Sequence, residues 1–469
     1  MLFNTIEFLL FYIIVTLSFF GLGARKQLAL LLIASCYFYI YFIPKYLLIL
    51  FAVIIIDYFA GRGIEKSSGS KRKALLAVSL GANLGVLFFF KYFNFASENL
   101  NALADTFGHA PIVPYLKIAL PIGLSFHTFQ AMSYTIEVFR GAQKVERNFL
   151  VYALYVLFYP QLVAGPIERP QNLLPQLHER HSYDPSNLRQ GLFLMAWGMF
   201  KKVVVADRLA ILVDAAYGSV DSSNGITLLI ATFCFAIQIY CDFSGYSDVA
   251  RGAARTMGIH LMVNFRNPYF SQSISEFWRR WHISLSSWFR DYVYIPLGGN
   301  KVGELRVALN IMAVFLLSGL WHGANWNYVI WGAIHGLYVL GERLKDRVFG
   351  RNAETANACS WRRVRRVLTT FLLVSFAWIF FRARSLSDAL TVIRKLTHFS
   401  LDDPLDLSLN CWELLAASIF IGVCLFAEDR VNGFAQKTGI RFWIGLFLLI
   451  CVDYFCGIFR SNQFIYFQF

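Results

Sequence analysis

The chain has 469 residues, of which 57% are apolar, 17% aromatic and only 15% charged, with 43 Lys and Arg against 29 Asp and Glu. Soluble domains carry about 25% charged residues, so a disordered chain, a soluble enzyme, a collagen-like fibre and a disulfide-stapled secreted module are excluded and a polytopic membrane protein remains. The net charge of +14 sits in short loops between apolar runs, which fits basic loops against anionic headgroups and not nucleic-acid binding.

A spanning helix needs about 20 mostly apolar residues. The opening MLFNTIEFLL lacks a basic n-region and no A-x-A site follows, so it reads as a first spanning helix over 6–23 and not as a cleavable signal. Further apolar runs cover 27–43, 46–60, 74–93, 112–136, 149–164, 191–213, 224–241, 305–321, 325–341, 367–381, 411–427 and 441–459. Several contain charges or Pro, which predicts about eleven crossings plus one or two re-entrant segments. The loop 61–73 sets Arg62, Lys66, Lys71, Arg72 and Lys73 against Glu65, and the stretch 342–366 is rich in Arg and Lys. Both are expected in the cytoplasm, and counting back places the N-terminus outside. No repeat or long linker divides the chain. One membrane domain over 1–469 is expected, with N-terminal helices to 110, a core at 111–341 and C-terminal helices from 342. The eight cysteines form no CxxC pair and lie mostly in apolar runs, so free buried thiols are expected, with no disulfide framework and no metal.

Ionisable residues within membrane sequence are costly and mark a cavity, a function or a structural pair. They collect in five segments. In Pro121–Arg140, His127 and Gln130 share a helix face, as do Gln130 and Tyr134, which reads as a polar interhelical seam. Gly123–His127 resembles the start of a nucleophile elbow but lacks its closing Gly. In Tyr159–Pro170, three prolines forbid a regular helix, leaving a re-entrant wall or an interfacial loop. In Gln238–Asp248, the residues Asp242, Ser244, Tyr246 and Asp248 follow an apolar run; the acids either orient a base, pair with arginines such as Arg251 or Arg279, or cap a helix at the interface. In Asn267–Asn300, Ser273 or Ser275 is placed to cap a helix, Glu276 and Arg280 stand at i, i+4, and Trp278, His282 and Leu285 are expected on one helical face, flanked by Arg279, Arg280 and Arg290. In Ser318–Gly336, His322 lies between Trp321 and Gly323 with Asn325 three residues on, while Gly319, Gly323 and Ala324 permit close backbone approach. Histidine suits proton transfer near neutral pH. His322 and His335 lack the spacing of a helical metal pair, and no nearby Cys or carboxylate completes a ligand set. There is no GxSxG, GxxxxGK[ST] or HExxH, and the only HxxxxD match is His398 with Asp403.

The strings LPIGLSFHTFQ, FYPQLVAGPIERP, KKVVVADRLA, QIYCDFSGYSD, ISEFWRRWHISLSSWFRDYVYIPLGGN and GLWHGANW, with WIFFRARS and the final FIYFQF, occur in order. Together they closely resemble the membrane-bound O-acyltransferase (MBOAT) family, and within it the alginate O-acetyltransferase (AlgI) branch. The resemblance implies an all-α polytopic fold of about eleven transmembrane helices plus re-entrant segments around a central tunnel. It puts the family's invariant histidine at His322 and a second site residue at His282; from the segments themselves, Asp242, Ser244, Tyr246, Trp321, Asn325 and Arg279 are expected in support. It implies an acyltransferase of the bacterial inner membrane, with its N-terminus in the periplasm and no permanently bound cofactor. Acetyl-CoA is the implied donor, a periplasmic SGNH-hydrolase-like protein the partner, and an exported polysaccharide or peptidoglycan the acceptor. Two other readings stand beside it: D-alanyl transfer onto teichoic acid in a DltB-like manner, and a polysaccharide or lipid transporter without chemistry.

Overall fold

Apolar runs of this length must satisfy their own backbone without water, and helices do so within one segment. In the computed structural model, which describes residues 1–163, 165–350, 360–398, 400, 403–405 and 407–459, every regular element among the described residues is helical. The α-helices are α1 (Ile6–Phe20), α2 (Ala24–Ile40), α3 (Pro44–Lys66), α4 (Gly69–Leu87), α5 (Phe93–Thr106), α6 (Leu124–Arg140), α7 (Phe149–Leu157), α8 (Tyr159–Leu162), α9 (Pro170–His178), α10 (Pro185–Met199), α11 (Asp207–Gly218), α12 (Gly225–Thr256), α13 (Ile274–Arg280), α14 (Ile283–Phe289), α15 (Glu304–His322), α16 (Trp326–Val348), α17 (Ser360–Arg382), α18 (Leu386–Thr397), α19 (Cys411–Ala435) and α20 (Ile440–Cys456). Residues 351–359 of the second basic stretch, and the string FIYFQF, lie outside the described residues.

Among the described residues, six helical stretches are long and apolar enough to cross a membrane: Pro44–Lys66, Gly69–Thr106, Gly225–Thr256, Glu304–His322, Trp361–Arg382 and Cys411–Glu428, with Ile6–Phe20 shorter. Other apolar runs are interrupted. The run 149–164 divides into α7 and α8, with Pro160 at the start of the second, and 191–213 is split by a π-helical turn, Phe200–Ala206.

The chain folds as two compact units, Met1–Met195 with Val249–Met262, and Ala196–Asp248 with Val263–Phe469. In the first, α3 packs on α4 and α6, and α2 on α7. The buried Asp57 accepts hydrogen bonds from Ser79 Oγ (2.6 Å) and Asn83 Nδ2 (2.8 Å), which satisfies a carboxyl that membrane burial would otherwise penalise. The expected polar seam forms: Tyr155 donates to the carbonyls of Gln130 and Glu168 (both 3.1 Å), and Tyr134 Oη accepts from Glu146 N (2.8 Å). A further run departs from a single helix. A helix across 112–136 does not form, because Pro114 and Pro121 interrupt it and α6 starts only at Leu124. Side chains of α5 satisfy the irregular backbone instead: Asn101 Oδ1 accepts from Ile112 N (2.9 Å) and Val113 N (3.0 Å), and Asn94 Oδ1 from Leu116 N (2.9 Å).

In the second unit, α15 and α16 form a closely packed pair, α16 packs on α17, and α19 and α20 pack on the π turn. A Cβ on Gly319 would stand 2.2 Å from Tyr328 O, and one on Gly332 would stand 2.2 Å from Phe315 O, so backbone meets backbone where both glycines lie. This is the small-residue packing that membrane helices use in place of a hydrophobic driving force.

Candidate active site

The close approach of α15 to α16 fixes the position of α15's last residue, His322. Gly323 then turns extended, and Asn325 caps α16 by accepting from Asn327 N (2.9 Å). His322 is 3% exposed. Its imidazole lies 4.9 Å from the Trp321 ring, 5.1 Å from Trp331 and 5.3 Å from Phe381, each nearly edge to face. Rings on these sides exclude water and leave little freedom for the imidazole to turn.

His282 arrives by a different route. Ser273 Oγ caps α13 by accepting from Glu276 N (3.1 Å), and Glu276 pairs with Arg280 at 2.6 Å, as the spacing predicts. Glu342 of α16 also accepts from the first backbone N–H groups of α13, among them Ser275 N at 3.0 Å, which complements the positive end of that helix. The continuous helix expected to carry Trp278, His282 and Leu285 on one face does not form. Trp281 is extended and His282 is left-handed (φ 41°, ψ 56°), after which α14 begins. The cause lies elsewhere in the chain: Asn264 O accepts from Ile283 N (2.9 Å), and Asn264 Oδ1 accepts from Ser284 Oγ (2.7 Å). A non-glycine residue in this conformation is uncommon and is held there by its surroundings. His282 is fully buried, 4.7 Å from the Phe243 ring at 83° and 5.9 Å from Trp321.

The two histidines therefore share one indole, that of Trp321. A second indole, Trp331, stands between His322 and a third buried histidine, His335, at 5.0 Å from the latter. Trp278 Nε1 donates to His335 Nδ1 at 3.3 Å, so the lone pair on that nitrogen is already engaged. His335 thus lies within the same aromatic cluster, against Trp278 and Trp331.

The eight residues expected at the site, His322, His282, Asp242, Ser244, Tyr246, Trp321, Asn325 and Arg279, all lie in the second unit. His322, His282 and Trp321 come together directly. Asp242, Ser244 and Tyr246 are buried on α12. Asp242 pairs with a lysine: Lys202 Nζ lies 2.5 Å from it and 2.9 Å from Asp207, and 5.6 Å from the Tyr246 ring. Asp248 likewise pairs with Lys201, which also reaches Glu428 at 3.3 Å. Lysines take the acids because the apolar π turn brings them against α12. Arg279 is exposed, and Asn325 is an exposed helix cap. Lys201, Lys202, Phe243, Trp331 and Phe381 were missed. Two adjacent lysines inside an apolar run were the available signal; the aromatic residues gave none that distinguished them from ordinary core. Among the described residues no group of three His, Cys, Asp or Glu side chains is arranged to hold a metal ion.

Comparison with known proteins gives a consistent picture. The model of the MBOAT, membrane-bound O-acyltransferase family matches residues 138–383. The chain is 41% identical over 395 residues to a probable alginate O-acetylase AlgI of Pseudomonas aeruginosa, covering 83% of this chain and 73% of that protein. It is 38% identical over 440 residues to the protein of the same name in Azotobacter vinelandii, covering 93% and 85%. It is 35% identical over 427 residues to a peptidoglycan O-acetyltransferase of Helicobacter pylori, covering 84% and 79%.

Proposed function

Because the chain belongs to the membrane-bound O-acyltransferase family and is an acyltransferase, we propose that it takes an acetyl group from cytoplasmic acetyl-CoA and passes it across the bacterial inner membrane for O-acetylation of an exported glycan. The observation that carries this reading is the pair of buried histidines, His322 and His282, both packed against one indole. A hydroxyl attacking a thioester must lose its proton as the new C–O bond forms. His322 takes that proton as general base, the C–S bond breaks, and the thiol leaves. His282 orients the acceptor or donates to the developing oxyanion. Asp242, Ser244 and Tyr246 support this arrangement from α12. The relatives' names point to alginate or peptidoglycan as the class of acceptor. The basic ends of α3 and α4 are retained in the cytoplasm, which leaves the N-terminus in the periplasm.

The described residues are helices and short connections, with no further soluble fold to hold a long glycan. The last transfer then belongs to a periplasmic protein of the SGNH-hydrolase type. The purified chain, given acetyl-CoA and polymeric alginate or peptidoglycan, is expected to leave the polymer unacetylated until that second protein is added. Polymer acetylation at the cellular rate by this chain alone would refute the division of labour.

A further inference from the structure

Lys201 and Lys202 are consecutive residues of the π turn, and both are buried. They grip α12 at two points, Lys201 at Asp248 and Lys202 at Asp242, each three residues from Gly245. Between those points the two segments touch. A Cβ on Gly245 would stand 2.6 Å from Gly198 O and 3.2 Å from Lys202 N. Each lysine has a second anchor outside α12, Glu428 for Lys201 and Asp207 for Lys202. Two ion pairs on either side of a backbone contact fix both the rotation of a helix and its displacement along its axis. A single pair would leave one of these free.

What α12 carries at this level is Phe243, next to Asp242 in the chain, whose ring meets the His282 imidazole at 4.7 Å. Phe243 also lies 5.0 Å from Phe265, which lies 5.1 Å from Trp281, the residue preceding His282. His282 occupies a left-handed conformation, and packing against it from this side is part of what holds it there.

We infer that Lys201 and Lys202 act as a clamp on α12 that positions His282 through Phe243; they are positioning residues and touch no reactant. The inference rests on the reading of His282 as a site residue, and its test has a readout that does not depend on activity. His282 and His335 are both fully buried, so both should resist carbethoxylation by diethyl pyrocarbonate in the intact chain.

Lys202→Met with Asp242→Leu removes the ion pair on α12 as a unit, while Asp207 loses the lysine as a partner. This double variant is expected to expose His282 to the reagent, measured by peptide mass spectrometry, while His335 stays protected. It should also lower kcat for acetyl transfer by about tenfold, with KM for acetyl-CoA unchanged. Phe243→Leu should give the same pattern, and combining it with the neutral pair should add little, because both act on one contact. Gly245→Ala leaves every charge and ring in place and displaces α12; if the neutral pair does not accumulate, it decides by the same criteria. His282 remaining protected in both the neutral pair and Gly245→Ala overturns the clamp, as does joint exposure of His282 and His335, which marks general loosening. A wild-type chain that transfers no acetyl group overturns the proposed function instead and leaves the protection result standing.

Discussion

His322→Ala is expected to lower acetyl transfer by about 10²–10⁴-fold, the range for loss of a general base, with the protein still present in the membrane at its normal level. The imidazole ends α15 and is enclosed by Trp321, Trp331 and Phe381. It adds only one ring to a large aromatic cluster, so truncation removes proton-accepting chemistry more than it removes packing. His282→Ala should also impair transfer, less completely, because the proposed mechanism assigns the proton to His322. His335→Ala should give a milder loss of transfer, since Trp278 already engages its Nδ1; its deficit should appear in folded yield. The three variants are compared by acetyl content of the glycan at matched protein abundance. Retention of more than about a tenth of wild-type activity by His322→Ala exceeds what loss of a base permits and would make that residue structural.

Gly332→Val is expected to remove most folded protein. Its Cβ would stand 2.2 Å from Phe315 O, a backbone atom that cannot rotate away, with Phe315 C at 3.0 Å and Gly319 Cα at 3.4 Å. Overpacking a core commonly costs about 1–3 kcal/mol, and here the whole of α15 must move. Because α15 ends at His322 and Glu342 of α16 caps α13 near His282, separating α15 from α16 also disturbs both histidines. Thermal unfolding followed by size-exclusion chromatography checks this: a sharply lowered midpoint or aggregation is expected. A monodisperse protein melting as wild type would show that the glycine contact is dispensable.

The helices were legible wherever one segment determined its own conformation. Ser273 with Glu276 and Arg280 specified α13 from local chemistry, and the glycines around His322 announced a close helix pair before any packing was known. The break at His282 was not legible. Local pairing around Glu276 favours continued helix, and the contradicting hydrogen bonds come from Asn264, in a separate stretch of chain. The lysine partners of Asp242 and Asp248 were not legible for the same reason: they approach from the π turn and not from the neighbouring sequence. Local spacing predicts local pairs, and a site assembled by tertiary contact lies beyond it. His282 and His322 stand in the strings WRRWH and WHG that carry the family resemblance, and the Trp321 indole packed against both belongs to the second of them.

The most direct measurement of the central claim uses sealed inverted membrane vesicles containing this chain and the proposed periplasmic partner, with acetyl-radiolabelled acetyl-CoA added to the exposed cytoplasmic face. Label is expected on protein or glycan inside the vesicles, dependent on His322 and absent when the donor is enclosed in the lumen of vesicles of the same orientation. Lumenal acceptor that stays unlabelled while His322 is intact, or that is labelled equally from the enclosed donor, would contradict transfer of an acetyl group across the membrane by this chain.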